Sequence, residues 1–316
     1  MKKKNRLLAA LAVGLLVAPM VALADYDFQL LNHPGKPGTQ VLGVNHHGDV
    51  VGHGFDDTDV SPFVFALKKG TFTLVTPALG YAGTHGLGIN DAGVIAGSVN
   101  HSDGSGRSGY IRSTDGTYTV FSHPDAPSFT LPRGINSPGL ISGYYQPAGP
   151  PWTLVGFIYN PKTETFTDID TGPSFQTIAH GINAKGQVVG SSFFFSEDAP
   201  CPSAQEPFPR FGWLRATDGS VTYIEVNGHS TAVRGINDLG YIAGFINDGT
   251  GLKGFVIKPT GAPCESHIVA ASDLLDFPGY DDTIPEGITN TGVVVGNARS
   301  LESCPECLHG FIATPQ

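Results

Sequence analysis

Four residues able to handle an anion stand at matching places along the chain. Arg133, His180, Arg234 and Glu286 each lie three residues before the Asn or Thr that closes a Gly-Ile-Asn or Gly-Ile-Thr tripeptide. In two earlier copies the same place holds Leu42 and Leu87. An arginine fork binds two oxygens of a carboxylate or phosphate. Arg, His, Arg and Glu beside two Leu suit a ligand with an anionic group and an apolar part. A charge network that only satisfies itself is the competing reading, because buried charges pair. A third reading is a lyase or hydrolase acting on an acidic substrate. There His180 is the base, Glu286 its orienting or acid partner, and Arg133 and Arg234 the clamp on developing negative charge. No P-loop, dinucleotide fingerprint or Gly-x-Ser-x-Gly elbow occurs, so no cofactor is expected. His46, His47 and His53 lack a metal-binding frame, and Asp56, Asp57 and Asp59 lack the twelve-residue calcium-loop pattern.

The frame that positions these residues is an internal repeat. Gly43-Val-Asn45, Gly88-Ile-Asn90, Gly134-Ile-Asn136, Gly181-Ile-Asn183, Gly235-Ile-Asn237 and Gly287-Ile-Thr289 recur at spacings of 45, 46, 47, 54 and 52. Each has a Thr six residues before its last residue, and Gly three and seven residues after it. Each period contains four strand-like pieces. In the fourth unit these are Thr177–Asn183, Gln187–Phe193, Phe211–Leu214 and Val221–Val226. A period of about 40–50 residues with four short strands predicts a propeller blade. The last unit stops one strand short. Tyr26 to Leu31 precedes the first Thr as a fourth strand would, so it is expected to pair with Phe311–Thr314 and close the ring. The expected fold is therefore an all-β, six-bladed, all-antiparallel β-propeller. Strand one of each blade is expected innermost, with its sixth residue, Ile or Val, packed between blades.

The Gly-Ile-Asn-x-x-Gly-x-(Ile/Val)-x-Gly core, followed by Gly-Phe strands such as His309-Gly310-Phe311, resembles the HAF-type extracellular repeat of secreted bacterial proteins. The resemblance covers nearly all of residues 26–316. It implies export and a propeller-like fold, and it brings no catalytic residue with it.

The N-terminus agrees with export. Lys2, Lys3, Lys4 and Arg6 precede an apolar run from Leu7 to Val21 and an Ala22-Leu23-Ala24 cleavage site. Residues 1–24 read as a signal peptide, and 25–316 as one propeller domain, secreted or periplasmic in a bacterium. The whole chain has 18 Lys+Arg and 28 Asp+Glu. Removing four leader cations leaves 14 against 28 acids, a balance of −14. That excludes nucleic acid as the main partner, and no later segment is long and apolar enough to span a membrane. Export favours disulfides. Cys304–Cys307 with Cys201–Cys264 is one pairing, a bridge from Cys201 to the Cys304–Cys307 loop is another, and a four-Cys zinc site a third.

Binding loops are expected between strands two and three: Ser196 to Arg210, Asp56 to Asp59, Asn100 to Arg107 and Pro147 to Trp152. Phe194, Phe195, Phe208, Tyr144, Tyr145 and Trp152 offer aromatic contacts there. The expected protein is a monomer that holds a small molecule, a glycan or a protein partner on one face of the ring, with Arg133, His180, Arg234 and Glu286 in one axial cavity.

Overall fold

The structure, a computed structural model, describes residues 25–56, 60–66, 69–76, 78–149, 153–201, 209–300 and 308–316. Residues 1–24, expected to be a signal peptide, the Cys304–Cys307 pair, Asp57, Asp59, Trp152 and Phe208 lie outside these. Alternating apolar and small residues between Gly-containing turns give short strands throughout. The chain opens with β1 (Tyr26–Leu31). Blade one is β2 (Gly38–Val44), β3 (Asp49–Phe55), β4 (Val60–Ala66) and β5 (Thr71–Leu74). Blade two is β6 (Tyr81–Ile89), β7 (Ile95–His101), β8 (Arg107–Arg112) and β9 (Tyr118–Phe121). Blade three is β10 (Thr130–Ile135), β11 (Ile141–Tyr145), β12 (Val155–Asn160) and β13 (Thr165–Ile169). Blade four is β14 (Gln176–Ile182), β15 (Val188–Phe193), β16 (Arg210–Arg215) and β17 (Val221–Val226). Blade five is β18 (Thr231–Ile236), β19 (Ile242–Asn247) and β20 (Leu252–Ile257). Then come β21 (Cys264–His267) and blade six: β22 (Asp282–Ile288), β23 (Val294–Arg299) and β24 (Leu308–Pro315). The six sheets form a β-propeller with the Gly-Ile-Asn strands innermost.

Two features set the ring. The first is strand closure. β1 pairs antiparallel with β24 from Tyr26↔Pro315 to Leu31↔Gly310, as the short last unit requires. The second is packing between blades. Strand three of each blade places one large ring in the interface: Phe63, Tyr110, Phe157, Trp213, Phe255 and Phe311, all fully buried. The glycine beneath each ring (Gly52, Gly97, Gly143, Gly190, Gly244, Gly296) has no alternative. A Cβ there would collide with that ring and with a strand-one carbonyl. The repeated Thr serves the joints. Thr39, Thr84, Thr130, Thr231 and Thr283 accept backbone N–H groups at 2.8–3.0 Å from the segment leading in from the preceding blade.

One expectation is corrected. The sheets are not all antiparallel, because β21 runs parallel to β17 and makes blade four five-stranded. Among the described residues blade five keeps three strands, and Leu275 bridges its outer strand at Gly254. Pro259 and Pro263 flank the departing segment and suit no central strand. Glu265 accepts the N–H groups of Thr260, Gly261 and Ala262, and Cys264 is disulfide-bonded to Cys201. These contacts hold β21 against blade four. Among the described residues no helix is long and apolar enough to cross a membrane.

Candidate functional site at one end of the ring axis

Strand one does not alternate cleanly. In every blade its pairing with strand two slips at the fourth residue. The slip falls on Leu42, Leu87, Arg133, His180–Gly181, Arg234 and Glu286. A bulge of this kind re-aims a side chain. Here it accompanies close approach at the axis. A Cβ on Gly43, Gly88, Gly134 or Gly181 would press on the next blade's strand-one carbonyl. Glycine beside the bulge therefore lets six inner strands converge.

The convergence brings the four expected residues together. Arg133 Nε lies 3.2 Å from His180 Nδ1, and Arg133 Nη2 donates to Glu286 Oε2 at 3.2 Å. Blades three and six face each other across the ring, so this ion pair spans the axis. Arg234 Nη1 lies 3.1 Å from His180 Nδ1 and 2.9 Å from Nε2. The four line one cavity of about 70 Å³ with Leu42 and the Val or Ile at the sixth place of strand one. Leu87 packs instead with Leu42 and Leu131, beside Phe129 and Tyr144. The sixth residue thus also faces the axis, where it separates this cavity from one of about 50 Å³ at the Asn end. His180 and Glu286 do not touch directly. Arg133 bridges them.

The electrostatics are unbalanced. His180 is 4% exposed. Burial, then the charges of Arg234, Arg133 and Arg210, hold its pKa well below the ordinary value. The imidazole is therefore neutral, with one N–H and one lone pair. Two guanidinium groups face it, and one lone pair serves one of them. In either tautomer an imidazole N–H confronts a guanidinium N–H. Arg234 Nε is buried without a partner as well. Among the described residues Glu286 is the one carboxylate in contact, so the cluster of two guanidiniums and one carboxylate carries +1. Phe245 supports it from below, with Arg234 5.4 Å and Arg210 5.0 Å from its ring centre.

Other expected contributors fall elsewhere. Phe194 is fully buried against Cys201 and Phe211, and Tyr145 is buried. Phe195 is exposed at 44%. His46 pairs with Asp238 at 2.9 Å at the opposite end of the axis, and Asp56 pairs with Lys36 at 2.8 Å. Phe245 and His85 were not singled out by the sequence pattern. His85 occupies the second place of strand one, the same face as the ring, and that phase is the signal that identifies it.

No protein-family model matches the chain, and no curated protein matches it in sequence. Solved structures do. A putative gluconolactonase is 12% identical with a TM-score of 0.51, over 94% of this chain and 96% of that one. TolB from Acinetobacter baumannii is 11% identical with a TM-score of 0.50, over 75% of this chain and 61% of that one. At such identities the likeness is one of propeller fold.

Proposed function

We propose that this is an exported binding protein of the HAF-repeat type, which holds the anionic group of a small molecule at Arg133, His180 and Arg234. The observation that carries the reading is the shortage of acceptors. Two guanidiniums converge on an imidazole with one lone pair, and the buried Arg234 Nε has none to meet. An added carboxylate brings the missing oxygens. Unpaired buried donors are costly, so its binding is favoured. The cavity fits a headgroup, Leu42 lines it, and the partly exposed Phe129 and Tyr144 pack beside Leu42. The acid–base alternative is less well supported, because both nitrogens of His180 face arginines and leave no lone pair for a substrate proton. The leader-like N-terminus and the Cys201–Cys264 disulfide support export.

The test is a thermal-shift and calorimetric screen of small carboxylates and phosphates. A ligand at 100 times its Kd should add about 2.7 kcal/mol of stability. Arg234→Ala should weaken that binding by about 10- to 150-fold, the range for a hydrogen bond to a charged group. If no anion raises the melting temperature, or if the Arg234→Ala protein binds as before, the reading fails.

A further inference from the structure

A second guanidinium stands at the same end of the ring. Arg107 opens β8, half-buried. Its backbone N–H donates to Ser128 O at 2.9 Å, and it bridges Phe129 in parallel. Its Nε donates to Asn100 Oδ1 at 2.8 Å. The amide of Asn100 reaches His85 Nε2 at 3.3 Å, and the ring of His85 stands edge-on to His53 at 5.0 Å. The set is built outward from a buried histidine toward the arginine, and it fixes the direction of the guanidinium fork.

What this assembly lacks is an anion. Among the described residues no carboxylate or carbonyl accepts from the Nη groups of Arg107. The surrounding groups offer no negative charge. Burial, helped by Arg107, keeps both His85 and His53 neutral, and His53 Nδ1 is buried without a partner. Two neutral imidazoles and an amide hold the guanidinium in place but bring no counter-charge, so the network does not neutralise Arg107.

Arg107 is also joined to the axial cluster. Its bridge partner Phe129 lies 6.1 Å, centre to centre, from the ring of Tyr144. Tyr144 packs with Leu42, Leu87 and Leu131. Its ring lies in the neighbourhood of both Arg107 and Arg234. Two guanidiniums therefore stand near one apolar cluster, in which Leu42, Leu87 and Leu131 are buried and Phe129 and Tyr144 are partly exposed.

We propose that this end of the ring recognises a dicarboxylate with an apolar spacer, one carboxylate at Arg133 and Arg234 and the other at Arg107, with the spacer along Leu42 and Tyr144. The proposal rests on the anion-binding reading above and adds the second anchor. Asn100 is a positioning residue for that anchor.

The experiment compares straight-chain α,ω-dicarboxylates from succinate to sebacate with monocarboxylates of equal length, by calorimetry on the full mature chain. The expected result is a length optimum at which the dicarboxylate binds about tenfold or more tighter than its monocarboxylate partner. Arg107→Met should remove that excess and leave monocarboxylate binding unchanged. Arg107→Lys, which keeps the charge and loses the fork, and Asn100→Ala, which frees it, should each remove part of the excess with melting temperatures close to the parent. Dicarboxylates that bind no tighter than monocarboxylates would overturn the second anchor while leaving the axial site standing. An excess that survives Arg107→Met in a folded protein would overturn it too. If neither class of acid binds, the axial reading and this one fall together.

Discussion

Three histidines near the axis, His53, His85 and His180, are neutral in the folded protein for one reason. Burial removes water from the imidazolium, and arginines nearby oppose its charge. Burial first, and then His85, Arg107 and Arg133, push His53 down to about 3, while burial and Arg107 push His85 to about 4. The unfolded chain takes up these protons below its ordinary value of 6.5, and the folded chain does not. Stability is therefore lost as pH falls, by about 1.4 kcal/mol per pH unit for each histidine. The window runs from pH 6.5 to about 4 for His85 and to about 3 for His53. Urea melts from pH 7 to 4.5 should show the decline, and His85→Gln should make it shallower. An unchanged slope in that variant would contradict the assignment. Glu286 raises a different question at the same scale, since it competes with any incoming anion for Arg133. Glu286→Gln raises the cluster from +1 to +2. The variant should melt lower, because Arg133 loses its partner, and should bind anions more tightly. Weaker binding would mean that Glu286 itself accepts a hydrogen bond from the ligand.

At the scale of elements, the repeated Asn ties the blades together. Asn45 Nδ2 donates to the carbonyl of Asn90, Asn90 to Asn136, Asn136 to Asn183, Asn183 to Asn237, and Asn237 to Thr289, at 2.9–3.2 Å. Each Asn Oδ1 meanwhile accepts backbone N–H groups of its own turn, as Asn90 does from Ala92 and Val94. Only Asn does both, which explains its recurrence. Blade six carries Thr289 instead, and Thr has no amide to reach blade one. Asn297 fills that gap from β23. Its Oδ1 accepts from Val41 N at 2.8 Å and its Nδ2 donates to Val41 O at 2.9 Å. Asn297→Ala would leave both backbone groups of a fully buried residue unpaired, at about 1–3 kcal/mol each. Chemical denaturation should show the loss, and a change under about 0.5 kcal/mol, typical of a surface substitution, would show that water replaces the amide. The six inner strands and their Gly, Ile and Asn were legible in the sequence because the repeat states them six times. The charged cluster was legible for a related reason: Arg133, His180, Arg234 and Glu286 break a pattern that holds on either side of them. The Asn100 to Arg107 loop stood out only as one of four variable loops, and the bond from Arg107 to Asn100 and on to His85 was not legible, because strands two and three share less between units. β21 was hidden more deeply. Its pairing with β17 depends on a disulfide and on the N–H groups gathered by Glu265, and neither is a local property of Cys264 to His267.

For the whole molecule, the separation of charge and the closing of the ring come from the same plan. A chain with ten more acids than bases places Arg107, Arg133, Arg210 and Arg234 at one end of the axis. They are held there by blades that belong to one closed ring, so the cluster depends on closure. Closure depends on β1, which is contributed by the opposite end of the chain. Phe28 stacks on Phe277 at 4.9 Å, and Leu31 is buried in the cluster shared with Val41 and Ile312. Gln316 N donates to Asp25 O at 2.8 Å and fastens the last residue to the strand. Deleting residues 25–32 would expose the edge of β24 and open the apolar faces of blades six and one together. The truncated chain should lose much of its stability and its anion binding together, although every residue of the axial cluster is retained. A synthetic peptide spanning 25–32, supplied in excess, should restore both by pairing with the vacant edge. Anion binding that survives truncation at full strength would show that the cluster is held by its own blades rather than by the closed ring. A truncated protein that melts like the parent would show that β1 covers an edge without closing the propeller.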